Sequence, residues 1–456
     1  MTGGTGPRRA LLLVLSVAMF MEQMDSSALA TVLPAIAGDF GIEPMPLKLA
    51  LTAYIVAVAM FIPISGWLAD RFGARRVFVL SMLAFMAGSV TCALAHDLAT
   101  LVAARFLQGT GAAAMTPVAR LIIVRSVSRE ELVEAMSRWA LPAMIAPVVG
   151  PLIGGFFATY ASWHWIFWIN LPIGIAGIIA SKLVIPDMKA ETPAPLDGIG
   201  FGLLALCFPA LIFGMSVLNL PLVPGWLGAG LIGLGILLGW VYIGRAGRLV
   251  HPLLDPGLFR NGAFRVSSIG SATFRFSTGA THFLIPLMLQ LGFGLSPMQS
   301  GLLTFAGAIG AAASKLIVSR VFHLFGFATV LWVTAWLAAA LQGGMGLLQP
   351  GVEPLVIVAF MAAGGLVRAT FFSGIQALGY ATLSNDRVAD VSILSTVFNN
   401  LSIACGIAAA GMALDMLGGA GPALRDYQQA LIVLGGVGAL AAAALIGLPR
   451  NLGRRS

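Results

Sequence analysis

Two carboxylates sit where a carboxylate is expensive. In "FMEQMDSSALA", residues 20–30, Glu22 and Asp25 interrupt an apolar run. A charge taken into hydrocarbon costs at least about 2.5–3.5 kcal/mol on insertion scales, so such residues have partners or a task. Spaced three apart, they share one face of a helix. Asp25 lies sixteen residues beyond Arg9, about 24 Å along an α-helix and so well inside a bilayer. Desolvation favours the protonated form of a carboxylate and a nearby cation favours the anion. With Arg105 as that cation, Asp25 and Glu22 are candidates for loading and releasing protons. A structural ion pair, or a carboxylate facing a wet cavity, would explain the same residues.

A second constellation lies in the C-terminal half. Arg275 is ten residues past Arg265, about 15 Å into its run, and Arg368 is about 22 Å of helix beyond Glu353. His282 follows Arg275 by seven residues and shares its face. Lys315 is five residues before Arg320, so its long side chain is able to snorkel to the interface. Few acids are at hand, since Asp390 and Asp415 fall towards the ends of one run. Buried cations need a carboxylate, carbonyls or a ligand. Arg275, His282, Lys315 and Arg368 are therefore candidates for a substrate cavity that accepts anions and repels permanent cations. Backbone carbonyls or an ion pair to the other half would serve as well.

No metal or nucleophilic site competes with these. The five histidines (His96, His164, His251, His282, His323) are too dispersed for zinc. Cys92, Cys207 and Cys405 are scattered in apolar runs and read as small core residues. "NLS" at Asn400 matches a glycosylation sequon but falls within a run.

The elements that carry these residues follow from composition. The chain is 59% hydrophobic and 10% charged, too little polar surface for a soluble domain of this length. Apolar runs of about 20 residues, the length that spans a ~30 Å core, recur throughout. Fourteen are expected, from 10–36 to 428–448, with a pair at 198–218 and 225–243 between two sets of six. The expected fold class is an all-α polytopic membrane protein. Its expected domains are 1–186, a six-helix bundle; 187–257, an inserted helix pair with linkers; and 258–456, a second six-helix bundle with a tail. The basic N-terminus "PRRALLL" reads as the flank of an uncleaved first span.

When the loops alternate, sixteen of the 26 Lys and Arg residues fall on one side and two, Lys48 and Arg425, on the other. This positive-inside bias predicts cytoplasmic termini. The net charge of +8 is thereby explained without nucleic acid. "ADRFGARRVFVL" (69–80) has a decayed counterpart in "FHLFGFATVLWV" (322–333), as expected of transporters built from related halves.

"GWLADRFGARR", residues 66–76, combines a glycine for close packing, an aspartate and a basic cluster in a turn between two spans. It resembles the signature loop of the major facilitator superfamily, with Gly66, Leu68, Asp70, Arg71, Gly73 and Arg75 in register; Ala74 stands where a basic residue is common. "RFLQGTGAA" (105–113) resembles the fourth-span motif whose arginine is implicated in proton coupling. "APVVGPLIGG" (146–155) is similar to the fifth-span antiporter motif, with Gly150, Pro151, Gly154 and Gly155 giving small faces that let helices approach and pivot. "WHWIFWINLP" (163–172) resembles the sixth-span entry of fourteen-span drug:proton antiporters, and the whole chain is similar to the MdtD-like group of multidrug exporters. In that pattern Asp25 matches the first-span aspartate. Ala30 replaces the usual asparagine and Ser27 a threonine.

The resemblance implies a proton-coupled antiporter that exports amphipathic drug-like molecules by alternating access; the basic residues leave small organic anions open as cargo. The expected partners are a small-molecule substrate, protons and the lipid bilayer, with no nucleic acid and a monomeric unit. The proton gradient would replace any cofactor, and the expected site is the cytoplasmic (inner) membrane. A membrane-embedded enzyme would need converging nucleophile and base residues, and none are readable. A non-transporting sensor of transporter fold is a further alternative.

Overall fold

Long apolar segments satisfy their backbone internally in hydrocarbon only as helices or closed barrels, and the absence of alternating patterns favours helices. The computed structural model describes residues 5–127, 131–189, 195–218, 224–249, 252–380, 388–418 and 422–445, and no strand occurs among them. The N-terminal half comprises α1 (Thr5–Phe40), α2 (Lys48–Phe72), α3 (Ala74–Ala93), α4 (Leu98–Ser126), α5 (Leu132–Tyr160), the short α6 (Trp165–Trp168) and α7 (Asn170–Val184). The inserted pair is α8 (Gly198–Val217) and α9 (Gly225–Ala246). The C-terminal half comprises α10 (Gly262–Leu287), α11 (Pro297–Phe325), α12 (Phe327–Met345), α13 (Pro354–Tyr380), α14 (Val388–Gly418) and α15 (Leu424–Ala444).

All fourteen expected runs are helical. Eleven helices among the described residues are long and apolar enough to cross a membrane by length and composition, consistent with fourteen spans. The expected span 164–186 is split, with α6 and α7 meeting at Ile169. Arg129, His251, Arg387, Arg450, Arg454, Arg455 and the C-terminal tail lie outside the described residues, as does the side chain of Asp390.

Sharp chain reversals have local causes. Gly73 separates α2 from α3 at φ 96°, and Gly326 separates α11 from α12 at φ 78°. Both are left-handed positions that favour glycine, so the decayed sequence repeat survives as a backbone repeat. Asp97 caps α4 by accepting from Thr100 N at 2.7 Å. Ser296 and Gln299 form a reciprocal capping box at the start of α11, with Pro297 in the first turn.

Within the N-terminal half, α2 and α3 pack on α4, and α1 packs on α5 and α7. In the C-terminal half, α11 packs on α13, α10 on α14 and α12 on α15. The halves meet along two lines, α5 against α11 and α2 against α14. One end of the molecule holds the α2–α3 turn and most of the described basic loop residues; it is called the basic end below, and the opposite one the far end.

The inserted pair does not behave as one lipid-facing unit. α8 packs on both α2 and α14, whereas α9 exposes Trp226, Ile236, Leu237 and Trp240. α8 is the more buried member of the pair and α9 the more exposed.

Candidate functional site

Asp25 is 1% exposed and lies at the centre of a polar cluster drawn from five helices. Arg105 Nη1 on α4 donates to Asp25 Oδ2, and also to Gln108 Oε1 at 2.6 Å. Gln108 Nε2 and Asn170 Nδ2 each donate to Asp25 Oδ1 at 2.9 Å. Asn170 Nδ2 also reaches Ser89 Oγ at 3.0 Å, and Ser89 in turn donates to the Phe167 carbonyl. Beneath the guanidinium lies the Tyr54 ring, 4.3 Å from Arg105 Cζ to the centroid. Arg105 and Gln108 reach one carboxylate because their i,i+3 spacing puts them on one face of α4.

Arg105 and Asp25 form a buried ion pair. A buried ion pair is tolerated when its geometry is good and further hydrogen bonds satisfy the remaining lone pairs, and the two amides supply those bonds. Three buried polar atoms here lack partners: Tyr54 Oη, Arg105 Nε and Asn170 Oδ1.

Glu22 is placed differently. It shares the face of α1 turned to α4, as its spacing predicts, but sits apart from the cluster and accepts from Thr116 Oγ1 at 2.8 Å. It is half-buried, whereas Asp25 is sealed.

In the C-terminal half, Arg275 lies over the Phe372 ring with Cζ 3.6 Å from its centroid. Lys315 donates to Ser373 Oγ at 2.9 Å. Both contacts, and Arg368 itself, fall on the stretch 368–373 of α13. Arg275, Lys315 and Arg368 are thus gathered around one stretch of α13, with Lys315 at its exposed edge, while His282 lies two turns beyond Arg275 on α10.

The turn motif needs one correction. Gly66 does not serve close packing: nothing lies within 4 Å of where its Cβ would be. The tight glycine is Gly73, faced by the Asp187 carboxylate. Asp70 pairs with Arg125 at 2.6 Å and Arg75 with Asp187 at 3.4 Å, while Arg71 is exposed. The turn is therefore tied to the ends of α4 and α7 rather than closed on itself.

The glycines of α5 serve two neighbours. Gly150 and Gly154 abut Ser27 and the Ala28 carbonyl on α1, and Gly155 abuts the Pro297 carbonyl on α11. Gly301 on α11 answers by abutting the Pro151 carbonyl. At the same far end, Met298 N donates to Thr159 Oγ1 at 3.0 Å, Gln290 Nε2 to the Thr31 carbonyl at 2.8 Å, and Lys48 pairs with Asp415 at 2.8 Å. The far end is closed by contacts between the halves.

Sequence reading missed Gln108, Asn170, Tyr54, Thr116, Arg125, Asp187 and the Lys48–Asp415 pair. A polar residue inside an apolar run was the available signal for Gln108 and Asn170. Both lay within quoted motifs without being given a role.

Two membrane-embedded helical halves, a buried ion pair inside one of them and a glycine-lined contact between them define a transporter rather than an enzyme. The profile of the Major Facilitator Superfamily matches residues 15–254. "Probable transport protein HsrA" of Haemophilus influenzae is 35% identical over 416 residues, covering 91% of this chain and 90% of that one. "Putative multidrug resistance protein MdtD" of Klebsiella pneumoniae is 35% identical over 408 residues, covering 89% and 86%. Among solved structures, a POT family transporter in complex with 5-aminolevulinic acid superposes with a TM-score of 0.72 at 16% identity, covering 95% of this chain and 94% of that one. The chain belongs to the major facilitator superfamily.

Proposed function

We propose that the chain is a proton-driven exporter of the cytoplasmic (inner) membrane, with both termini in the cytoplasm. It moves amphipathic drug-like molecules outward while protons enter. The observation that carries this reading is the sealed Asp25 carboxylate, held by Arg105, Gln108 and Asn170. Opening of the far end loosens the α1–α4 packing; Arg105 withdraws, and Asp25 takes a proton in its place. Half-buried Glu22, beside Thr116, relays protons along the same face. The names of the HsrA and MdtD relatives support transport of small molecules. The proton gradient powers the cycle without a cofactor, and one chain holds both halves, so a monomer suffices.

The test uses purified protein in liposomes with an imposed pH gradient and dansyl-labelled amphipathic probes of either charge. Gradient-driven probe movement that a protonophore stops, and that Asp25→Asn abolishes, is expected. Movement of every probe at an unchanged rate with the protonophore present would overturn proton coupling.

A further inference from the structure

Cations outnumber acids in the C-terminal half. Between residues 256 and 385 the sequence holds Arg260, Arg265, Arg275, Lys315, Arg320 and Arg368 against a single acid, Glu353. Glu353 precedes α13 at the far end, about 22 Å of helix away from Arg368. Asp415, another acid of that end, is taken by Lys48. Lys315 has Ser373. Arg275 and Arg368 remain near the middle of their helices, and among the described residues neither makes an ion pair or hydrogen bond.

Their settings leave both guanidinium forks free. The Phe372 ring covers one flat face of Arg275. A cation–π contact of this kind stabilises the charge but uses none of the in-plane N–H groups that grip a carboxylate bidentately. Arg368 lies beside Gly364 and Gly307; a Cβ at Gly364 would come within 3.0 Å of Nη1. Those glycines give its fork room.

The unsatisfied atoms nearby are donors too. Arg275 Nε and Gln342 Nε2 are buried without acceptors. Gln342 and Arg368 line one small cavity with Ser277 and Thr278. His282 follows Arg275 by two turns on the same face of α10 and is exposed, towards the far end. A surplus of donors and positive charge with no carboxylate beside it among the described residues is complementary to an anion. The α1 carboxylates are spent elsewhere: Asp25 on Arg105 and Glu22 on Thr116.

We propose that Arg275 and Arg368 receive the carboxylate of an amphipathic organic anion, so that the cargo is negatively charged. The inference rests on the exporter reading and fixes the charge of what is exported. The cargo and the proton then occupy different halves, and neither displaces the other from its site.

Three probes of nearly equal shape separate the outcomes: dansyl-glycine, its methyl ester and dansyl-ethylenediamine. Binding is read by energy transfer from the tryptophans in phosphatidylcholine vesicles. The wild type is expected to hold the anion at least about tenfold more tightly than the ester, as a charge-assisted bidentate contact implies. Arg275→Gln and Arg368→Gln should each erase that preference while keeping the ester's affinity, which certifies the fold. Asp25→Asn should keep the preference while losing gradient-driven movement. Equal binding of the ester or the cation by wild type, or a preference that survives both arginine variants, overturns the proposal. Loss of anion binding when phosphatidylglycerol is added overturns it as well, because the site would then belong to a lipid headgroup. Preserved anion preference with no probe moved by any gradient leaves the site standing and sinks the exporter reading instead.

Discussion

Lys48 at the start of α2 and Asp415 near the end of α14 form a 2.8 Å ion pair across the two halves, with the lysine only 1% exposed. Both residues are carried on far-end helix termini, and Gly411 gives the lysine stem its room on α14. The pair clasps the far end shut. Asp415→Asn strands a buried ammonium, which costs about 3–5 kcal/mol, and this penalty is relieved when the end opens. Cross-linking between Thr159→Cys and Met298→Cys, whose parents touch in the closed end, should fall in the single variant. It should recover in Lys48→Met/Asp415→Leu, which removes both charges. Unchanged cross-linking in the single variant would show that the pair does not hold the end.

Asp25 and Arg105 are coupled rather than independent. Arg105→Met leaves the Asp25 carboxylate buried without its cation, a loss of about 3–5 kcal/mol seen as a lower unfolding temperature in detergent. Adding Asp25→Asn should return most of it. Simple additivity of the two effects would mean the residues do not share one interaction.

Two glycines that look alike in sequence should respond in opposite ways. Gly155→Val drives a side chain into the Pro297 carbonyl, and overpacking of this kind costs about 1–3 kcal/mol. The same far-end cross-link should weaken. Gly66→Ala meets open space inside α2 and should stabilise by no more than about 1 kcal/mol. Thermal unfolding of the two variants checks the contrast.

Asp97 sets a pH signature at the first turn of α4. The Thr100 backbone N–H that it accepts holds its carboxyl below the usual aspartate range. A depressed folded value stabilises at pH above the unfolded value, about 3.9 for aspartate, and that contribution is lost as pH falls through the folded value. Protection factors of the Leu98–Leu101 amides, after correction for the intrinsic pH dependence of exchange, should fall across this window in the wild type. In Asp97→Ala they should already be low and independent of pH.

Much of the fold was legible because hydrocarbon leaves few solutions. A run of about 20 apolar residues spans as a helix, and every expected span but 164–186, which is split, falls on a single helix over most of its length. What the pattern could not show was the break at Ile169 or the docking of α8, since both depend on which neighbour a helix meets. The charged core of the site was legible for the same physical reason. Asp25 and Arg105 stand out in apolar runs as a cost that must be offset. Gln108 and Asn170 carry no charge and therefore announce a smaller cost, although they complete the carboxylate's shell. Lys48 and Asp415 are 367 residues apart, and at helix ends each reads as an ordinary interfacial charge.

The docking of α8 has a consequence for the lipid around the protein. The closest partners of α8 besides α9 are α2 and α14, which belong to opposite halves, so it lies along one of the two lines where the halves meet. In the proposed cycle, tilting of the halves would leave α8 screening acyl chains from the slit on that flank. The α5–α11 flank is closed by its own glycine-to-carbonyl fit and the Met298–Thr159 hydrogen bond. Sideways traffic between the bilayer and the interior would then be asymmetric, with one side sheathed by a third helix and the other sealed by its two partners alone.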